Sequence, residues 1–187
     1  IPPIAPYEIP AGPFPARVDW SLDADRAALL IHDMQRYFID AYTLDAQPMS
    51  TALPNMVQIR DTCRELGIPI IYTAQPGDQH PSRRGILADF WGRGLSAGRD
   101  EEIVPELSPA PEDIQVTKWR YSGFQRTDMR HVLAHHRRDQ LIVVGVTGTA
   151  DATQVVQREH IGGIFVGSWT DKSILTSGAA SRLSRSQ

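Results

Sequence analysis

A single cysteine, Cys63, stands among the 187 residues, so no disulfide can form within the chain. That accords with a reducing compartment, and a cytoplasmic location is expected. No apolar run approaches the ~20 residues of a membrane-spanning helix, so no membrane partner is expected. The opening residues Ile1, Pro2, Pro3, Ile4, Ala5 and Pro6 lack a basic region followed by an apolar core and do not read as a signal peptide. A net charge of -3 with no long basic stripe argues against nucleic acid as a partner. Internal repeats and low-complexity segments are absent as well.

What remains is an ordinary globular composition, 41% hydrophobic and 22% charged, in a chain of a length that suits one domain with a proper core. Six prolines (Pro2, Pro3, Pro6, Pro10, Pro13 and Pro15) mark residues 1–19 as an extended arm, able to pack on the domain or to reach a neighbouring subunit. Residues 27–31, all apolar, predict a strand buried on both faces. A helix is predicted over 54–66, with Pro54 near its first turn and Gly67 just past its end. Cys63 shares a face of it with Met56, Ile59 and Leu66 and reads as a small buried apolar side chain.

Short strands are predicted at 70–72, 114–117, 141–146 and 164–166. A second helix, capped by Thr127 or Asp128, carries Met129, Val132 and Leu133 and ends in the basic run His135, His136, Arg137 and Arg138. The two histidines there read as a solvated helix end. Strands alternating with helices imply an α/β fold of three layers, α/β/α, around a mostly parallel sheet. The stretch 75–111, rich in Gly, Pro, Asp and Arg, is long for a connection and reads as an active-site loop with some helix.

The polar residues then gather at strand ends, where open α/β sheets collect ligands. Asp33 follows the first strand. It is a candidate general acid or base if burial moves its pKa toward neutrality, and otherwise a capping or ion-paired carboxylate. Lys118 follows the 114–117 strand, expected on a neighbouring strand end. An ammonium there favours the ionised carboxylate, so the pair suits acid chemistry only if Lys118 also binds an anionic substrate whose charge offsets its own.

Arg84 and Arg120 are candidates for bidentate carboxylate contacts. Gln75 offers an amide donor, and Tyr37, Phe38, Trp91 and Tyr121 are candidate pocket walls. Asp78 and His80 are two metal-ligand types without a third, too few for a metal site. No metal and no cofactor is expected.

Four strings carry more than local chemistry: His32-Asp33-Met34-Gln35-Arg36-Tyr37-Phe38, Tyr72-Thr73-Ala74-Gln75-Pro76-Gly77, Asp89-Phe90-Trp91-Gly92 and Lys118-Trp119-Arg120-Tyr121-Ser122. In order and spacing, over roughly residues 20–146, they resemble the isochorismatase family, and most of all its vinyl-ether-hydrolysing branch. The resemblance implies the three-layer fold, a homodimer, and Asp33 as the acid-base residue with Lys118 beside it. Gln75, Arg84, Trp91, Tyr121 and Phe38 would then be substrate-binding. It implies hydrolysis of the enolpyruvyl ether of isochorismate or 2-amino-2-deoxyisochorismate, giving pyruvate and a cyclohexadiene carboxylate.

In the amidases of the wider superfamily a cysteine nucleophile follows the strand that ends here at Gly145 and Val146. By motif count that place is taken by Asp151, which excludes a thiolate route. The segment Thr147-Gly148-Thr149-Ala150-Asp151 departs from the branch pattern, losing an aromatic and gaining a carboxylate. Asp151, counted as substrate-binding, favours the ammonium-bearing amino substrate, as in phenazine-type or other secondary metabolism. The reading from another class is a non-catalytic binding or assembly protein, its pocket altered after Val146.

Overall fold

Five consecutive apolar residues are all buried when a strand is covered on both faces, and that is the environment of 27–31. Each is at most 3% exposed. In the computed structural model, which describes residues 1–9, 21–145 and 162–165, they open strand β1 (Ala27–His32). There follow α1 (Arg36–Ile39), α2 (Met49–Glu65), β2 (Ile70–Ala74), α3 (Pro81–Arg84), α4 (Leu87–Trp91), β3 (Ile114–Thr117), α5 (Met129–His135), β4 (Gln140–Gly145) and β5 (Gly162–Phe165).

The sheet runs β3-β2-β1-β4-β5 with every pairing parallel. Side chains alternate across it. Ala27, Leu29 and Ile31 pack with Met49, Met56, Ile59 and Cys63 of α2. Ala28 and Leu30 pack with Met129 and Leu133 of α5 on the opposite face. That is the expected three-layer α/β/α architecture. The chain places β2 and β3 on one side of β1, then crosses back to add β4 on the other. The order therefore reverses beside the end of β1, where Asp33 sits.

Helix α2 corrects two expectations. It begins at Met49, so Pro54 lies inside it instead of near its first turn. The buried face Met49, Ala52, Leu53, Met56, Ile59 and Cys63 keeps helical spacing straight through the proline. Pro54 removes only a bond to the first turn, and that burial offsets the loss. Leu66, assigned to this face, is instead 43% exposed. It is the C-cap, where the chain turns away through Gly67 at φ +68, with the Gly67 amide donating to the Arg64 carbonyl and the Ile68 amide to that of Cys63.

The 75–111 connection does hold some helix, α3 and α4, and two 3-10 turns at Arg99–Glu101 and Pro105–Leu107. Its anchor is Glu101, whose two carboxylate oxygens accept from the Gly77 amide (2.6 Å) and the Gly98 amide (2.9 Å). Gly77 is required by space: a Cβ there would lie 2.4 Å from the Ala97 nitrogen. The first nine residues form no regular element and are tied to the loop before α2, Ile4 to the Ala41 carbonyl and Tyr7 to that of Gln47. The rest of the predicted arm, and Thr147 to Asp151, lie outside the described residues. His135 and His136 are exposed at the end of α5, as expected.

Candidate active site

Asp33 leaves β1 with φ +50, a left-handed conformation that aspartate tolerates better than most residues. Its amide donates to the Thr73 carbonyl (3.1 Å), which fixes the turn against the end of β2. The carboxylate is 5% exposed and fully partnered. Oδ1 accepts from the Thr73 hydroxyl (2.9 Å), and Oδ2 accepts from the Gln75 amide (3.1 Å) and from the Lys118 ammonium. Lys118, 4% exposed, is positioned by its own amide, which donates to the Ala74 carbonyl (2.8 Å). The acid and the base are not on neighbouring strands: β2 lies between β1 and β3, and the lysine side chain reaches across its end.

Two adjoining groups show which way the charges settle. His32, next to Asp33, has its pKa pulled down to about 4 by burial, with the charge of Asp33 opposing and that of Lys118 adding. It is neutral at neutral pH. Burial by itself would raise the Asp33 pKa, but positive charge on its neighbours and the hydrogen bonds from Lys118 and Gln75 reverse this and hold the carboxyl below its ordinary value. The charge on His32 is the larger of the two, and with His32 neutral it is the Lys118 charge and the hydrogen bonds from Lys118 and Gln75 that still favour the carboxylate. Asp33 is thus ionised in the free protein, as the pairing with Lys118 led one to expect.

Gln35 is a support that the sequence did not reveal. Fully buried, it pairs with both backbone groups of Gln75: its Oε1 accepts from the Gln75 amide, and its Nε2 donates to the Gln75 carbonyl, each at 2.8 Å. Nε2 also donates to the Glu101 carbonyl (3.0 Å), which ties the long loop to the site. Thr73 and His32 are two more. Thr73 is the register partner of His32 across β1 and β2, and its hydroxyl lies 2.8 Å from His32 Nδ1. All three lie in strings already singled out, but their roles depend on register and on long-range contact.

The other expected residues divide. Tyr121 stands with its ring 6.0 Å from the Lys118 ammonium and is half exposed. Arg84 is 5% exposed and donates to the Gly92 (2.5 Å) and Trp91 (3.4 Å) carbonyls. Among the described residues it has no carboxylate in ion-pair range. Helix α3 meets the loop of Lys118 through Arg83, which stacks over Trp119 at 5.0 Å, and Gly85 beside Arg120. Trp91 is 52% exposed.

Phe38 packs edge-on against Tyr37. Asp78 accepts from the Ala97 amide and from Arg93, and His80 caps α3 through Ser82. Asp151 lies outside the described residues.

A buried, hydrogen-bonded carboxylate beside one cation can hold or release a proton next to a bound anion. The chain is similar to known proteins. The Isochorismatase domain family matches residues 27–156. The chain is 48% identical over 149 residues to the isochorismatase of Bacillus subtilis (strain 168), covering 78% of this chain and 48% of that protein. It therefore spans about half the length of that relative. It is 44% identical over 154 residues to the phenazine biosynthesis protein PhzD of Pseudomonas fluorescens, covering 78% of this chain and 71% of that one. Among solved structures, a cysteine hydrolase from Pseudomonas syringae pv. phaseolicola superposes with a TM-score of 0.62 at 25% identity, over 70% of this chain and 63% of that one. A family match over most of the chain, with relatives this similar, establishes that the chain belongs to the isochorismatase family.

Proposed function

We propose that this protein is a metal-independent vinyl ether hydrolase that cleaves the enolpyruvyl group from isochorismate or its 2-amino-2-deoxy analogue. Asp33 is the general acid and Lys118 the cation that receives a substrate carboxylate. The observation that carries this reading is the buried Asp33 carboxylate, whose one oxygen takes both Lys118 and Gln75. A dianionic substrate draws the Lys118 charge to itself, and the Asp33 pKa then rises toward the value its burial alone would give. The protonated acid adds its proton to the terminal carbon of the enol ether. Water adds to the oxocarbenium ion so formed and releases a proton to solvent, and the hemiketal collapses to pyruvate and the ring alcohol. The difficult step is proton transfer to carbon, and a pocket that excludes bulk water favours it.

Arg84, a buried guanidinium held among the described residues by carbonyls, is the second carboxylate receiver, and Gln75, Trp91, Tyr121 and Phe38 complete the binding residues. Thiolate chemistry finds no support in the single cysteine. Cys63 is buried on α2 with its thiol pushed up to about 12. Incubation with each of the two substrates, with pyruvate release followed, tests the proposal. Release from neither would favour a binding or assembly protein instead. The carboxylate of Asp151 favours the amino substrate, and loss of that preference in Asp151→Asn would confirm its part.

A further inference from the structure

The oxygen of Thr73 has one hydrogen and two lone pairs, and all three are committed. An ionised Asp33 accepts only, so the hydroxyl proton goes to Asp33 Oδ1 at 2.9 Å. The Asp33 amide donates to the same oxygen at 3.3 Å. The remaining lone pair faces His32 Nδ1 at 2.8 Å, so the imidazole carries its hydrogen on Nδ1. His32 and Asp33 do not bond directly, their nearest charged atoms being 4.0 Å apart. The threonine hydroxyl joins them.

Exposure gives this chain of atoms a direction. The side chains of Asp33 and Lys118 are 7% and 5% exposed, and Thr73 is fully buried. His32, at 25%, is the one proton-carrying side chain of the four with appreciable contact with solvent. Gly123 lies over the joint, where a Cβ would meet both the Thr73 methyl (3.5 Å) and His32 Cε1 (3.7 Å). The charged neighbours of the imidazole are Asp33 and Lys118.

Resting on the vinyl ether reading above, we propose that His32 and Thr73 are the proton inlet of Asp33. Asp33 is ionised in the free protein and must carry a proton in the reaction, so each cycle takes one up at a carboxylate shielded from water. A proton from solvent binds the imidazole at Nε2. The N–H bond at Nδ1 breaks as that proton passes to Thr73 Oγ1, and the Thr73 hydroxyl proton passes to Asp33 Oδ1. The imidazolium becomes neutral imidazole protonated on Nε2, and the carboxylate becomes a carboxylic acid. Oδ1 is the oxygen that Lys118 and Gln75 leave open to receive it. Afterwards the acid donates to Thr73 and Thr73 donates to the vacated Nδ1, so both protonation states are fully hydrogen-bonded. After the proton is spent, the re-ionised carboxylate draws the Thr73 hydroxyl back, and exchange with solvent returns the imidazole hydrogen from Nε2 to Nδ1, which restores the first arrangement.

The test compares kcat and KM for pyruvate release by the unsubstituted protein, His32→Ala, His32→Asn, Thr73→Ser and Thr73→Val, with and without imidazole in solution. Both His32 variants should lose ~10-fold or more in kcat with KM changed little, the signature of a group that acts in the proton transfer. Imidazole should restore His32→Ala but not Thr73→Val, and Thr73→Ser should stay near the unsubstituted protein. An asparagine can hold the Thr73 hydroxyl but cannot pass a proton, so full kcat in His32→Asn would overturn the inlet. A folded His32→Ala that imidazole does not restore would overturn it too. If His32→Ala does not fold, the Thr73 pair decides, and equal kcat in the serine and valine forms contradicts the proposal. These outcomes leave the vinyl ether reading standing; inactivity of the unsubstituted protein removes both.

Discussion

Lys118 and Asp33 are a buried ion pair, and removing one partner of such a pair strands the other. Here the stranded group is a carboxylate that neutralises itself by taking up a proton. Lys118→Met should therefore raise the Asp33 pKa and still produce a poor catalyst, because the substrate carboxylate loses its cation. The expected result is a KM increase of ~10-fold or more, from a lost charge-assisted contact of about 1.5–3 kcal/mol. Steady-state kinetics on either substrate checks this, and an unchanged KM would take Lys118 out of substrate binding. Much of this pair was legible in the sequence, since Asp33 stands at the end of an apolar run and Lys118 directly after a short predicted strand. Thr73, His32 and Gln35 were not. The His32–Thr73 contact exists only once β1 and β2 pair in one register, and Gln35 acts on backbone 40 residues away.

Among the elements, apolar runs announced β1 and β4 because a strand buried on both faces needs no alternation. Helix α2 was misplaced because Pro54 looks locally like a helix start, while the buried face that overrides it is a tertiary property. The same face seals Cys63 at 0% exposure. A thiol reagent under native conditions should leave Cys63 unlabelled and activity intact, whereas rapid labelling with inactivation would contradict its purely packing role. In the long loop, Gly77→Ala should push the 96–97 backbone away and loosen the Glu101 anchor. A loss of about 1–3 kcal/mol of stability is expected from that overpacking, measurable by urea denaturation.

At the scale of the whole molecule, the titration of His32 becomes a dependence of stability on pH. Its pKa is lowered from 6.5 to about 4 on folding. Above the unfolded value neither state binds the proton, and the stability is complete. As pH falls below it, the unfolded chain takes up the proton first and the native state loses ground. Asp33, also lowered, acts with the same sign at still lower pH. Urea denaturation at pH 7 and at about pH 5 should differ by on the order of 1–3 kcal/mol, and by less in His32→Asn. A homodimer is also proposed, and light scattering should then return twice the 20.8 kDa of one chain. A mass of one chain across micromolar concentrations would contradict it.

The account turns on one proton held by one carboxylate. Asp33→Asn keeps the shape of the side chain and most of its hydrogen-bonding reach, but it has no acidic proton to give. Pyruvate release by this variant, measured beside its affinity for the same substrate, tests the claim most directly. The account predicts a fall in kcat of at least ~10²–10⁴, the range for a lost general acid, with substrate still bound. Turnover within a few-fold of the unsubstituted protein would contradict it.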